Sequence, residues 1–237
     1  MELRDHIISA VKDYSLTLGE TQLEQLEKYY ELLGDWNKKI NLTAITDPEG
    51  VAVKHFADSL SLLNYTELKQ GARVIDIGTG AGFPGVVLKI ARPDIELCLL
   101  DSLKKRFLFL NDLLSNLGLD AEFIQGRAEE YGQDEAYRES FDLAVSRAVA
   151  RLNTLSEYCL PFVRLSGRFV AFKGGDCVAE VQGAKHALSV LGGRLEKLCE
   201  FELPCEGGAR TLVITEKVAP TPDKYPRSNG KIKSKPL

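Results

Sequence analysis

Residues 74–85, VIDIGTGAGFPG, place an acid, Asp76, just ahead of four closely spaced glycines: Gly78, Gly80, Gly82 and Gly85. Val74, Ile75 and Ile77 suit a central strand of a parallel sheet, and the glycines allow a tight turn in which a ligand approaches the backbone before a helix begins. Asp101 then closes the next apolar run, residues 95–100. An acid about twenty residues past such a loop, at the tip of the second strand, is placed to hold a ribose diol. The pattern predicts a nucleotide-cofactor loop. A ligand-free glycine-rich turn competes with that reading, but the order of strand, glycines and distal acid speaks against it.

Two cofactor classes fit. Residues 80–85, GAGFPG, satisfy the dinucleotide spacing GxGxxG, which alone is a weak signal. Asp76 separates the two. An acid ahead of the first glycine resembles the D-x-G-x-G-x-G pattern of S-adenosylmethionine-dependent methyltransferases, whereas a dinucleotide loop carries an aliphatic residue there. S-adenosylmethionine is therefore the expected cofactor, with an NAD(P)-dependent oxidoreductase as the alternative.

The elements that must position these residues follow from periodicity. Up to about residue 70 the chain reads as a helical extension. Thr21 and Glu24 suggest a capping box, and Leu23, Leu26, Tyr30, Leu33, Trp36 and Ile40 recur at helical spacing. Asp47 and Pro48 suit the cap and first turn of another helix, with Val53, Phe56, Leu60 and Leu63 as its apolar stripe. From residue 71 to 218 strands and helices alternate. Strands are expected near 73–77, 95–100, 121–125, 141–146 and 168–172, and helices near 84–91, 104–117, 152–162 and 178–191. Leu103, Phe107, Leu110, Leu114 and Leu117 read as one core-facing stripe. Two last strands, near 194–202 and 210–216, are joined closely enough for an antiparallel hairpin. The expected fold is α/β: a seven-stranded, doubly wound Rossmann-like sheet of the class I methyltransferase type with an N-terminal helical extension.

Composition sets the limits. The chain has 237 residues, 44% hydrophobic, enough for one substantial core. It has no apolar run of about 18 residues and no signal-peptide layout at its start, so a cytoplasmic protein without membrane contact is expected. Cys98, Cys159, Cys177, Cys199 and Cys205 are odd in number and lack metal-type spacing, which suits reduced thiols, with Cys98 and Cys159 in the core. The net charge is −4, so a polyanion must be met by a local basic patch. Residues 219–237 carry Lys224, Arg227, Lys231, Lys233 and Lys235 against Asp223 alone. Such a tail cannot pack a core of its own; it would order against phosphates or stay solvated.

Several motifs in order carry a more specific resemblance. Residues 36–60, WNKKINLTAITDPEGVAVKHFADSL, with DIGTGAGFPG, SRAVA at 146–150 and the tail YPRSNGKIKSKPL, resemble the bacterial small-subunit rRNA guanine-N7-methyltransferase family, RsmG/GidB. The resemblance implies methyl transfer from S-adenosylmethionine to N7 of guanine 527 of 16S rRNA, on naked rRNA, an assembly intermediate or the small ribosomal subunit, by a monomer. It places cofactor contacts on Gly78 and Phe83, on Ala128 and Glu129 after the third strand, and on Arg147 after the fourth. Gly80 and Asp101 join them from the loop reading, Asp101 for the ribose, with helix capping as its competing role. Arg147, Arg227 and Lys231 are expected to meet RNA phosphate, while Lys38, Lys39 and Lys54 read either as an RNA-facing surface or as solvated charge.

Ser146-Arg147-Ala148 departs from the Asn/Asp-Pro-Pro-aromatic motif of amino-group methyltransferases. The departure fits N7, whose in-plane lone pair needs no general base, so alignment supplies most of the catalysis and no catalytic base is assigned. His55 and Asp58, three residues apart, invite an acid/base pairing, but a histidine bonded within a helix–domain interface is the stronger expectation. An inactive RNA-binding assembly factor of the same fold is the remaining alternative.

Overall fold

The computed structural model describes residues 2–237. Strands β1 (Arg73–Ile77), β2 (Glu96–Asp101), β3 (Glu122–Gln125), β4 (Phe141–Arg147), β5 (Val163–Gly174), β6 (Gly193–Leu203) and β7 (Gly208–Lys217) form one sheet in the order β3-β2-β1-β4-β5-β7-β6. The first five are parallel, and β7 runs antiparallel to both β5 and β6. Helices are α1 (Leu3–Val11), α2 (Glu20–Asn37), α3 (Pro48–Val51), α4 (Asp58–Leu60), α5 (Gly85–Ala91), α6 (Lys104–Leu117), α7 (Ala128–Tyr131), α8 (Leu152–Cys159), α9 (Val178–Val190) and α10 (Asn229–Ser234).

Alternation along the strands sorts the core into two layers. Val74, Leu97, Leu99, Val145 and Val170 face α1, α2, α5 and α6, while Ile75, Cys98, Leu100, Ala144 and Phe169 face α8, α9 and the tail. Central strands buried on both faces explain the nearly continuous apolar runs. Because β1 and β4 are neighbours whose connections leave in opposite directions, their carboxyl ends open a crevice for a ligand.

Several details differ from the sequence expectations. α2 is not opened by a Thr21–Glu24 capping box: Gly19 is the N-cap, and its N–H donates to the Gln22 side chain at 2.7 Å. The Gln22 amide also donates to the last carbonyls of α5, Ile90 at 3.0 Å and Ala91 at 3.1 Å. The helix therefore starts earlier, so that Gln22 can serve two helix ends at once. Leu103 is not part of the α6 core stripe; it precedes the helix and is 53% exposed, while Phe109 and Leu113 complete the buried face. β5 outruns the expected 168–172 at both ends: Val163 pairs with Phe141 of β4 ahead of a register shift, and pairing with β7 continues to Gly174. The expected single helix near 152–162 passes into a 3-10 turn at Leu160–Phe162, where Pro161 cannot donate.

Asp47 caps α3 as expected, accepting from Gly50 N–H at 2.7 Å. The helix beyond it is not uniform. Ala52–Ala57 is π-helical, and this stretch carries His55 and precedes Asp58. Such insertions re-aim side chains and occur often at functional sites. The tail is also more ordered than its composition suggests: Tyr225 and Ile232 are buried, and α10 packs on α8.

Candidate cofactor site

β1 delivers the glycine loop to the carboxyl edge of the sheet. The N–H groups of Gly78 and Thr79 donate to Leu100 O at 2.8 and 3.2 Å, locking the loop to the end of β2. Asp76, fully buried, organises it from beneath: one carboxylate oxygen accepts from Thr79 Oγ1 at 2.8 Å and from Gly85 N–H at 2.9 Å. Burial pushes its pKa up to about 6, while these donors and Arg147 pull the other way. Thr79 thus belongs to the site, although its type gave no sequence signal. Gly78 has φ +73°, and a Cβ there would stand 2.6 Å from Val149 Cγ2. Gly82, at φ +91°, is backed by the Tyr29 hydroxyl, 2.6 Å from where a Cβ would lie. These two positions require glycine for both conformation and space.

The loop borders a cavity of about 590 Å³, within the range of small-ligand sites. Gly78, Gly80, Phe83, Asp101, Ala128, Glu129 and Arg147 all line it. They come from four different strand ends, and the sheet order alone brings them together.

Asp101 is buried at the tip of β2. Its Oδ2 accepts from Gly80 N–H at 3.1 Å and from Arg106 Nη1 at 2.6 Å, while Oδ1 accepts from Leu103 N–H at 2.9 Å. The carboxylate shapes the approach to α6 and also lines the cavity, but it is not the helix cap, because the N-cap of α6 is Leu103. Ala128 and Glu129 open α7. Glu129 is nearly enclosed, and its Oε1 is buried without a hydrogen-bond partner, with Arg127 Nη1 at 3.9 Å. A buried unpaired acceptor is costly. Its place in the cavity wall suits a ligand donor.

Arg147 ends β4. Its Nη1 donates to Lys54 O and to Asp58 Oδ2, each at 3.0 Å, and its guanidinium lies 5.0 Å over the Phe83 ring. His55 also stacks on that ring, centroids 4.5 Å apart at 23°, and Tyr29 stacks on it at 5.1 Å and 3°. Nδ1 of His55 lies 3.1 Å from Lys54 O and 3.4 Å from Arg147 Nη2, and Nε2 lies 2.8 Å from Thr43 Oγ1. Burial, with the Arg147 charge second, lowers the imidazole pKa to about 4. His55 is neutral, and it shares Arg147 with Asp58 rather than bonding Asp58 itself.

The three expected RNA contacts lie in different settings. Arg147 is in the crevice. Lys231 is exposed on α10. Arg227 is taken up by Glu157, which is fully buried: Nη2, Nε and the backbone N–H donate to its carboxylate at 2.6, 2.8 and 2.9 Å. Two tail residues that the sequence reading did not assign to the cavity, Asn229 and Lys233, line it, and Asn229 accepts from the Tyr158 hydroxyl at 2.9 Å. Lys38 pairs with Asp35 at 3.0 Å and Lys39 lies over Trp36. Among the described residues no cluster of side chains is arranged for a metal ion, no helix is long and apolar enough to cross a membrane, and the five cysteines are unpaired.

A family model described as rRNA small subunit methyltransferase G matches residues 22–207. Proteins named ribosomal RNA small subunit methyltransferase G resemble the chain along nearly its whole length. The one from Clostridium novyi is 48% identical over 96% of this chain and 94% of its own. The one from Desulforamulus reducens is 49% identical over 96% and 95%. Among solved structures, a SAM-dependent methyltransferase from Aquifex aeolicus superposes with a TM-score of 0.54 at 19% identity, covering 78% of this chain and 98% of that one. A precorrin-6y C5,15-methyltransferase from Geobacter metallireducens gives 0.51 at 14%, covering 76% and 92%. At such identities these structures speak for the fold: a class I methyltransferase sheet.

Proposed function

The chain belongs to the rRNA small subunit methyltransferase G family, and from that premise we propose that it transfers a methyl group from S-adenosylmethionine to N7 of guanine 527 in 16S rRNA. One observation carries the cofactor assignment: all seven residues singled out for cofactor binding line a single cavity at the carboxyl edge of the sheet. The cavity fits the group. Gly78 keeps the wall clear where a side chain would collide with Val149, and Glu129 offers a buried acceptor that lacks a partner. Phe83 supplies an apolar wall and Asp101 an acid for the ribose hydroxyls. An NAD(P) oxidoreductase is disfavoured by the Asp76-led loop and by the antiparallel β7 inserted between β5 and β6, which differs from the dinucleotide order.

When bound, S-adenosylmethionine supplies an electrophilic methyl on a sulfonium. The protein's own task is alignment. Guanine N7 presents its lone pair in the ring plane, so no side chain has to remove a proton, and holding the reacting atoms in line provides the acceleration. Neutral His55 and the Asp58-paired Arg147 keep the crevice from presenting a bare cation to a purine that becomes positive on methylation. The carboxylates of Asp76, Asp101 and Asp58 bias the field the same way. The same reading takes the substrate as 16S rRNA within a small-subunit particle or precursor, and the protein as a cytoplasmic monomer. Incubation of 16S rRNA with enzyme and labelled donor, followed by mass mapping, tests it. Cofactor binding without modification would leave the inactive assembly factor.

A further inference from the structure

A second cleft of about 440 Å³ adjoins the cofactor cavity, and His55, Arg147 and Ala148 line both. It lies over the other half of the carboxyl edge, between the ends of β4 and β5, the start of β7 and the π-helical turn. Its walls carry Lys54, Arg147, Lys173 and Arg210 against the single carboxylate of Asp58, in a chain whose net charge is −4. Phe172 and Ile45 add an apolar side.

The cations are not equivalent. Lys173 is spent on structure, donating to Ala150 O at 2.9 Å and Glu180 Oε1 at 2.7 Å, which fixes the loop after β4. Asp58, nearly fully buried, separates two guanidiniums, with Arg147 Nη1 at 3.0 Å from one oxygen and Arg210 Nε at 3.3 Å from the other. That Oδ1 has no hydrogen bond. Arg210 uses Nη1 only on the neighbouring Ala209 O, so it keeps donors for an incoming anion. Lys54 is exposed at the rim with no ion-pair partner among the described residues. The arrangement offers fixed donors beside an apolar wall, next to the place where the methyl group would arrive.

We infer that this cleft receives the acceptor nucleotide itself, a purine nucleoside monophosphate unit of an RNA strand, with its phosphate on Arg210 and Lys54 and its base beside Phe172. The inference rests on the proposed function and deepens it. A base drawn out of its stack needs such a pocket, and paired guanidinium N–H donors suit phosphate. The shared wall at Arg147 and Ala148 sets the two ligands side by side.

The test titrates guanosine 5′-monophosphate into full-length protein saturated with S-adenosylhomocysteine, which occupies the first cavity. Wild type should bind it saturably, Arg210→Gln and Lys54→Gln more weakly, and the double variant at least tenfold more weakly. Guanosine, lacking phosphate, should show no such dependence, and S-adenosylhomocysteine affinity should stay constant in every variant, which controls for folding. Equal nucleotide affinity in wild type and both variants, or no saturable binding, overturns the cleft assignment. Methylation of 16S rRNA by the wild-type preparation separates the two claims: a nucleotide result of either overturning kind with methylation intact removes only the cleft, whereas absent methylation by wild type removes the proposed function and the guanine reading with it.

Discussion

The glycine loop and the chain's two ends close around the same cavity by opposite means. The loop is assembled from neighbouring residues: Thr79 and Gly85 both donate to Asp76 within nine positions, and backbone donors fix the rest. The ends are held by partners far away in sequence. Arg227 meets Glu157, buried Lys217 meets Glu139 at 2.9 Å, and Arg138 donates to the carbonyls of Thr221 and Tyr225 at 2.7 and 2.8 Å. At the other end, Tyr29 donates to Ala81 O beneath the loop and Trp36 Nε1 to Asp112 at 2.7 Å. Local chemistry makes the cofactor wall, and long-range pairing makes the cover. Substitutions in the loop should therefore change ligand binding with little loss of fold, and those in the cover should change stability first.

The largest effect is expected at Gly78→Arg. A side chain there meets Val149 and forces an L residue to φ +73°, a strain of about 1–3 kcal/mol, and it fills the cavity. Calorimetry should find cofactor binding abolished in a protein that still unfolds cooperatively. Glu157→Ala probes the cover. It strands Arg227 beside an apolar layer, and breaking a buried pair costs about 3–5 kcal/mol, with the low end expected because Arg227 retains 20% exposure. Urea titration should show that loss, and retained stability would mean the tail is not locked.

Acid should loosen the cover through His55. Its folded pKa, about 4, lies below the ordinary 6.5, so the neutral imidazole's contribution is complete above pH 6.5 and is lost as pH falls towards 4. Asp76 opposes it: with a folded pKa of about 6, the cost of its buried charge is present above that pH and is relieved on acidification. His55→Asn should make the protein relatively less sensitive to acid between pH 6.5 and 4, measured by urea midpoints. An unchanged pH dependence would take His55 out of the balance.

Asp101→Ala should weaken cofactor binding by about 1.5–3 kcal/mol, the worth of a hydrogen bond to a charged group. Unchanged affinity would leave Asp101 only its bonds to Leu103, Gly80 and Arg106. The smallest effect per residue is expected in the tail. Replacing the exposed Lys224, Lys231 and Lys235 with Gln, while keeping Arg227 for its structural pair and Lys233 for its place in the cavity wall, should weaken RNA binding and flatten its salt dependence by about 0.7 per lost phosphate contact. Cofactor affinity should remain, and wild-type RNA affinity at low and high salt would exclude a tail clamp.

Much of the architecture was readable in the chain because strand and helix periods are local. β1 and α6 match the expected 73–77 and 104–117, and the antiparallel β6–β7 pair follows from a short glycine-rich turn. The loop residues were readable for the same reason. Arg227 was not. Its cationic, proline-interspersed surroundings look solvated until Glu157, seventy positions earlier, is known to be buried beneath it. The π-helical turn escaped as well, since the stripe of Val53, Phe56 and Leu60 is buried in either helix type and only the placement of His55 and Asp58 around Arg147 registers the change. Arg210 carried no pattern, because the sheet order alone brings the start of β7 to Asp58 on the helical extension.

The central claim is that this cavity serves methyl transfer to one purine nitrogen of rRNA. The most direct measurement is mass mapping of 16S rRNA, as naked RNA and within small subunits, after incubation with wild-type protein and isotopically labelled S-adenosylmethionine. The expected result is a single labelled 7-methylguanosine at position 527, absent with Gly78→Arg. Label on another base or another atom of guanine, or none on any form of the RNA while S-adenosylmethionine binds normally, would contradict it.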